Sequence, residues 1–405
     1  MKMRFFFLPS IVVFSLLLLG CTSSSQKEKY VVVLSLDGFS PDYLDKAHTP
    51  TLDSLAKVGV RSTLRPCFPS VTFPNHYSLG TGLHPDHHGL VNNTFYDADF
   101  NAIYRIADRR AVQNPDFYLG EPIWNTAEKQ GIRAASYFWV GSEAPVQDMQ
   151  PSIWKKFDSS VPYKDRADSV VAWLRLPEDI RPHLIMWYIE EPDAAGHNYT
   201  PDSAATYRMV EHLDSVLHYF FNEARKLEQF EQIDFIVLSD HGMATYVPEK
   251  YVNLNDYLPI DSFNYVFEGV PLFLYPKETY LETAYEKLQN VPNIKVYKKE
   301  NMPEKYVYGT NSRIGDLVVL PNIGTYAHFR AESAPKLGGA HGYDNFAPEM
   351  EAIFFAAGPS FKEGAVFPVM ANVNIYPLIA HILNLKPAKN DGDIELVKKL
   401  LKEEK

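Results

Sequence analysis

Cysteine is scarce in this sequence: Cys21 and Cys67 are the only two among 405 residues. That excludes a disulfide-stapled scaffold and a cysteine-rich zinc module. Any metal site has to be built from His, Asp and Glu. Positive charge is short as well, with 39 Lys and Arg against 50 Asp and Glu, a formal balance of −11. A protein that grips a nucleic-acid backbone needs a basic stripe to displace counterions. The sequence has none, so polymeric nucleic acid is not an expected partner. Long apolar runs are missing too: the run Ile11 to Leu19 is interrupted upstream by Pro9 and Ser10 and falls short of the roughly 20 residues a membrane-spanning helix needs. There is no internal repeat, and the only low-complexity stretch is polar, Thr22 to Lys29. What remains is an ordinary globular composition, 46% hydrophobic and 22% charged, which excludes a disordered or collagen-like chain. The length suits one large domain or two medium ones.

The first twenty residues stand apart from the fold. Lys2 and Arg4 precede the apolar run, which closes on Leu18-Leu19-Gly20-Cys21 and a polar stretch. This reads as an export signal, and a small residue before Cys resembles a bacterial lipoprotein processing site. Cys21 is then the expected lipidated first residue of an exported, membrane-anchored chain on the periplasmic or cell-surface side, tethered by residues 21–29. Residues 1–20 carry two positive charges and no negative one, so the balance beyond them is −13.

Tyr30 to Leu36 is a continuous apolar, β-branched run, the pattern of a buried parallel strand. Further strand candidates are Ile132 to Trp139, Leu184 to Ile189, Ile233 to Leu238 and Ala352 to Ala357. Helical patterns cover Pro50 to Val58 (with Thr49 as N-cap), Pro122 to Gln130, Ala167 to Leu174 and Asp202 to Lys226. Strands alternating with helices indicate an α/β fold, a mostly parallel central sheet with helices on both faces. Residues 244–337 break the rhythm with short mixed segments, Val270 to Tyr275 and Asp316 to Leu320, and a helix near Glu278 to Leu288. They read as an inserted smaller subdomain dividing a catalytic core of residues 30–243 and 338–388. A charged tail, residues 389–405, reads as a solvated end.

Three polar motifs lie directly after apolar strands, where open α/β sheets bind ligands. Ser35-Leu36-Asp37-Gly38 offers one carboxylate. Asp193 and His197 in Glu190-Glu191-Pro192-Asp193-Ala194-Ala195-Gly196-His197 are four apart and can meet one cation. Ser239-Asp240-His241-Gly242 places a carboxylate beside an imidazole. A fourth motif, Gly338-Gly339-Ala340-His341-Gly342, sets one His between glycines that permit close approach. Three Asp and three His divide into two sites of zinc type. Two such ions ~4 Å apart can clamp the attacking and leaving oxygens of a phosphoryl displacement. Thr72, two residues before Pro74 at a helix start, is the nucleophile candidate, near free N–H groups and the positive helix end. His84, His87 and His88 read as a solvated loop.

Together these residues resemble the nucleotide pyrophosphatase/phosphodiesterase family of the alkaline phosphatase superfamily. The matching stretches include Leu36-Asp37-Gly38, Thr72-Phe73-Pro74-Asn75-His76, Thr81-Gly82-Leu83-His84-Pro85, His88-Gly89 through Asn93, Glu121-Pro122-Ile123-Trp124, and the three Asp/His motifs, across about Tyr30 to Leu385. The resemblance implies an alkaline phosphatase-like fold and two Zn2+, one held by Asp193, His197 and His341, the other by Asp37, Asp240 and His241 with Thr72 bridging toward it. It implies Asn93 as a side-chain donor to a phosphate oxygen. Phe73, Phe157 and Tyr188 would line an apolar slot for an organic group; Phe157 stands where family members often carry Tyr. The implied reaction is hydrolysis of a nucleotide phosphodiester or phosphoanhydride to a nucleoside monophosphate through phosphothreonine. Alternatives are a phosphodiesterase for lipid or choline-type head groups and a non-catalytic metal-binding surface lipoprotein. A sulfatase is disfavoured, because Val71 stands where the C-x-P-x-R signature beginning at Cys67 requires Arg.

Overall fold

The computed structural model describes Met1, residues 29–329 and residues 335–403. The export-signal segment, Cys21 and all but the end of the tether lie outside the described residues. Among the described residues no helix is long and apolar enough to cross a membrane.

The Tyr30–Leu36 strand is buried at all seven positions, as its β-branched, two-sided apolar sequence requires. It pairs in parallel with Leu184–Ile189 on one side and Ile233–Leu238 on the other. The central sheet runs, in spatial order, Ala365–Val366, Val60–Arg65, Ala352–Ala357, Ile233–Leu238, Tyr30–Leu36, Leu184–Ile189, Ala134–Tyr137 and Ile153–Lys155. The Ala352–Ala357 strand is antiparallel to both neighbours, so the sheet is mixed, parallel in the half that carries Asp37 and Asp193. The reason is where the chain re-enters. After Leu238 it lays down Asp240 and His241 and wanders through about a hundred residues. It returns at the same sheet end, with the Gly242 N–H donating to Met350 O at 2.9 Å. From there it can only run back against its neighbours.

Helices cover both faces. Trp187 and Tyr188 are successive strand residues and so point to opposite sides. Trp187 packs edge-on against Phe220 of the long helix Ala204–Ala224, and Tyr188 against His76 of the Thr72–Thr81 helix. Helix Pro50–Val58 begins as expected, but Thr49 makes no side-chain cap. The Asp214 carboxylate, from the long helix, accepts the N–H groups of Thr51 and Leu52 instead.

Within residues 244–337 a second, four-stranded antiparallel sheet forms, ordered Phe263–Phe267, Leu272–Pro276, Leu317–Pro321, Ile294–Lys298. With helix Leu281–Leu288 it encloses its own apolar cluster, including Leu272, Leu274, Leu288 and Val319. Buried Arg313 ties it to the first half of the chain. Its guanidinium donates to the Asp97 carboxylate at 2.5 Å and to the carbonyls of Gly89, Phe117 and Asp116.

The C-terminal segment is not the solvated end its charges suggest. Val397, Leu400 and Leu401 are buried in the main core, and backbone bonds join Lys402 N–H to Ser360 O and Lys362 N–H to Leu400 O. Three apolar side chains among the lysines outweigh the charge pattern.

Candidate active site

The chain ends three parallel strands with acid-bearing turns, and those turns meet. Asp37 follows Leu36, and its carbonyl accepts the Asp193 N–H at 3.0 Å. Gly38 makes this approach possible: its φ is +67°, and a Cβ there would sit 2.9 Å from the Asp193 Cα. The Gly38 N–H in turn donates to Asp240 Oδ1 at 3.2 Å. The peptide of one residue thus spans all three acidic turns.

The imidazoles close around these carboxylates. His197 Nε2 lies 3.4 Å from Asp193 Oδ2, and His341 Nε2 3.5 Å from Asp193 Oδ1. His241 Nε2 lies 3.1 Å from Asp240 Oδ2 and 3.5 Å from Asp37 Oδ1. The His241 and His341 rings stack, with centroids 3.7 Å apart. In each ring Nδ1 faces a backbone carbonyl: Gly339 for His197, Gly242 for His241, Ser70 for His341. A carbonyl oxygen only accepts, so in the neutral ring Nδ1 carries the proton and Nε2 presents its lone pair to the site.

Charge balance points the same way. Buried Asp37 Oδ1, Asp193 Oδ1 and Asp240 Oδ2 each lack a hydrogen-bond partner, an expensive state unless a cation faces them. Burial, then repulsion from Asp240 and Asp193, pushes the Asp37 carboxyl well above its ordinary range, against a 2.6 Å bond from the Tyr188 hydroxyl. Burial raises Asp193 too. Burial also opposes the charge on Asp240, yet His241 and His76 hold its carboxyl below the usual range. Burial, with His241 and His197 alongside, drives His341 well below the ordinary imidazole value. Within this site, three sets of side chains each bring one ligand atom apiece within 4.8 Å of one another: Asp193/His197/His341, Asp37/Asp193/His241 and Asp37/His76/Asp240. The first is one of the two triads expected from the sequence. The members of the second, Asp37, Asp240 and His241, are present and adjacent, but His76 and Asp193 intrude on it. Three orphaned carboxylate oxygens facing bare imidazole nitrogens fit divalent metal.

Thr72 opens its helix, as Pro74 suggests, with Val71 at the cap position. Its Oγ1 lies 3.3 Å from His241 Nε2. At this first helical position its N–H has no intrahelical acceptor. The preceding turn is locked by Asn75, whose amide donates to Pro69 O and Val71 O while its oxygen accepts the Cys67 N–H. Asn93 Oδ1 accepts the Phe73 N–H at 3.0 Å. That fixes the amide's orientation and leaves Nδ2 as its free, donating end.

Phe73, Phe157 and Tyr188 line one cavity of about 290 Å3 that reaches Asp37, Thr72 and Asp193. On the other side a cleft of about 350 Å3 is lined by Asn93, His197, His341, Tyr246 and Glu268.

Several contributors carried no separate sequence signal. His76 lies one helical turn after Thr72, with Nδ1 3.0 Å from Thr72 O, and its ring sits behind Asp240. Its Nδ1 is 3.2 Å from Asp240 Oδ2 and its Nε2 2.8 Å from Ser35 Oγ. Arg109 lines the aromatic slot and is ion-paired with Glu143; only the fold brings these positions to the slot. His88, read as loop, is wholly buried and bonded to Ser78 and Pro74 O, and burial takes its pKa down to about 3.

The family model described as type I phosphodiesterase / nucleotide pyrophosphatase matches residues 31–344. The chain belongs to that family. Among its similar relatives is human ectonucleotide pyrophosphatase/phosphodiesterase family member 1, 34% identical over 388 residues, covering 92% of this chain and 42% of that protein. An uncharacterized pyrophosphatase/phosphodiesterase of Schizosaccharomyces pombe is 33% identical over 383 residues, covering 90% of this chain and 79% of that protein. The chain therefore spans less than half the length of the human phosphodiesterase. Among solved structures, murine ectonucleotide pyrophosphatase/phosphodiesterase 5, an inactive threonine-to-alanine variant in complex with AMP, superposes with a TM-score of 0.89. It is 31% identical and covers 93% of this chain and 100% of that one. This family fold is the alkaline phosphatase-like α/β architecture.

Proposed function

We propose that the chain is a two-zinc nucleotide phosphodiesterase/pyrophosphatase that releases a nucleoside monophosphate through a phosphothreonine intermediate. The observation that carries this is the position of Thr72, with its hydroxyl 3.3 Å from His241 Nε2 at an open helix N-terminus and a cavity on either side. A diester or anhydride has an organic group on each side of phosphorus, and the site offers room for both.

Asp193, His197 and His341 would hold one ion, and Asp37, Asp240 and His241 the other, with Thr72 directed toward the second. When bound, zinc supplies charge stabilisation at the phosphoryl oxygens and lowers the pKa of the threonine hydroxyl. The rest falls to the chain. Thr72 Oγ bonds to phosphorus as the bond to the leaving oxygen breaks, and the hydroxyl proton departs with that oxygen; water then displaces Thr72, its OH staying on phosphorus to give the nucleoside monophosphate and its proton restoring the Thr72 hydroxyl. Asn93 Nδ2 and the Thr72 N–H are donors for a non-bridging oxygen, an oxyanion-hole role. Phe73, Phe157 and Tyr188 hold the organic group that stays with phosphorus. The AMP bound to the murine relative supports a nucleotide there. Arg109, the one arginine on the slot wall, is committed to Glu143 rather than free to neutralise a phosphomonoester.

The lipid anchor and export belong to the same proposal. Their support is the sequence around Gly20 and Cys21, and mass spectrometry of the mature N-terminus tests them; an unmodified terminus overturns them. The activity is tested with Thr72→Ala, which should abolish bis(p-nitrophenyl) phosphate hydrolysis while metal content stays unchanged. Retained hydrolysis overturns the assignment. Rates on ATP, a nucleotide sugar, glycerophosphocholine and a phosphomonoester then rank the substrates.

A further inference from the structure

Away from the active site, two imidazoles and a carboxylate converge where the chain leaves the nucleophile helix. That helix stops at Gly82 in the left-handed conformation, and a short turn, Pro85–His88, follows with His84 at its cap position. The turn lies at the far end of the helix, about 14 Å from Thr72 at 1.5 Å per residue. Asp391 docks here from the C-terminal segment. Its N–H donates to Gly82 O at 2.7 Å. Its Oδ2 faces His84 N at 2.8 Å, His84 Nδ1 at 3.0 Å and His87 Nδ1 at 2.6 Å.

One carboxylate oxygen carries about two lone pairs, yet three nitrogens surround this one. The backbone N–H of His84 and the nearer ring nitrogen of His87 suffice to occupy it. His84 Nδ1 is then surplus to the hydrogen bonding. The two imidazoles and the carboxylate each offer a ligand atom, all within 4.8 Å of one another. The side chains are 19%, 43% and 21% exposed for His84, His87 and Asp391, so an ion can reach them from solvent. A tetrahedral ion with bonds of about 2.0–2.1 Å sets its ligands roughly 3.4 Å apart. The ring nitrogens would withdraw from Asp391 Oδ2 by less than about 1 Å, which the part-exposed His87 can provide.

We propose that His84, His87 and Asp391 form a separate divalent-metal site, of zinc class, with two nitrogen donors, one oxygen donor and a fourth position open to water. To bind the ion, each neutral ring carries its proton on Nε2 and presents the Nδ1 lone pair. The ion joins the C-terminal segment to the turn behind the nucleophile helix, residues about 300 apart in sequence. The site takes no part in the proposed reaction and does not depend on that reading.

The test is zinc content per chain by elemental analysis. Protein is stripped with chelator, reloaded and passed through gel filtration. Wild type should hold one equivalent more than His87→Ala, and zinc should slow proteolysis of the C-terminal segment in wild type only. His87→Asn keeps a hydrogen-bond donor for Asp391 while removing the imidazole, so it separates a ligand from a simple clamp; it should also lose the equivalent. Thermal unfolding of the stripped proteins verifies that the variants are folded. Equal zinc content in wild type and both folded variants overturns the proposal.

Discussion

Asn93 offers a substitution that tests the phosphate-binding reading without disturbing the fold. Its Oδ1 accepts the Phe73 N–H at 3.0 Å, so only Nδ2 is left to meet a phosphate oxygen. Asn93→Asp preserves shape and the accepting oxygen but replaces the donor with a charged acceptor. Loss of an oxyanion-hole donor costs about 3 kcal/mol, or ~10²–10³ in kcat. Two unit negative charges about 4 Å apart at an effective dielectric of 20 repel by a further ~4 kcal/mol. Together these come to about 7 kcal/mol, roughly 10⁵ in rate. Counter-cations in the site shrink the repulsive share, so the donor loss alone, about 10², is the floor. Asn93→Ala removes the donor alone and should lose only ~10²–10³. It also strands the half-buried Phe73 N–H, at about 1 kcal/mol of stability. The two variants should therefore rank in opposite orders: Asp worse in kcat/KM on bis(p-nitrophenyl) phosphate, Ala worse in urea midpoint. If Asn93→Asp hydrolyses within tenfold of wild type, Nδ2 does not serve the phosphate and the assignment is wrong.

Three other perturbations follow from the contacts described. Asp234 is buried beneath Ser360, and burial raises its carboxyl to about 6. The folded state then holds that proton more tightly than the unfolded chain, so stability is lost as pH climbs from about 4 to 6; Asp234→Asn should stabilise by up to about 3 kcal/mol at pH 7, fading below pH 4, as read by urea melts across pH. Asp214→Ala removes the carboxylate that caps the Pro50–Val58 helix and should cost about 1–2 kcal/mol in the same assay. Chelation should lower the thermal midpoint of wild type, because three buried carboxylate oxygens lose their counter-charge; an unchanged midpoint argues against metal at this site.

The parallel half of the sheet was legible because Tyr30–Leu36, Leu184–Ile189 and Ile233–Leu238 are buried on both faces and so unbroken in hydrophobicity. The turns that follow them carry the acids, so the site could be assembled from local pattern. The antiparallel Ala352–Ala357 strand has the same apolar signature, and its direction depends on where a distant segment returns. Val60–Arg65 carries no such signal, because it buries only alternate positions on an ordinary polar sequence. His76 and Arg109 act through neighbours far away in the chain, and no spacing rule reaches across such separations. The C-terminal segment misleads because its few apolar residues, Val397, Leu400 and Leu401, are diluted by lysine and glutamate.

The three imidazoles of the site all rest their Nδ1–H on main-chain oxygen, at Ser70, Gly242 and Gly339. A mutation replaces side chains and leaves carbonyls in place. No exchange at residues 70, 242 or 339 can delete the acceptor that decides which nitrogen faces the acids; it can only displace the backbone. At Gly242 and Gly339 that route is steep, since an added Cβ would fall 2.2 Å and 2.4 Å from the carbonyl oxygens of Glu349 and Gly196. The tautomers are thus fixed by backbone shape: Ser70 can change identity and still supply its carbonyl, whereas Gly242 and Gly339 are held as glycine by the chain packed against them.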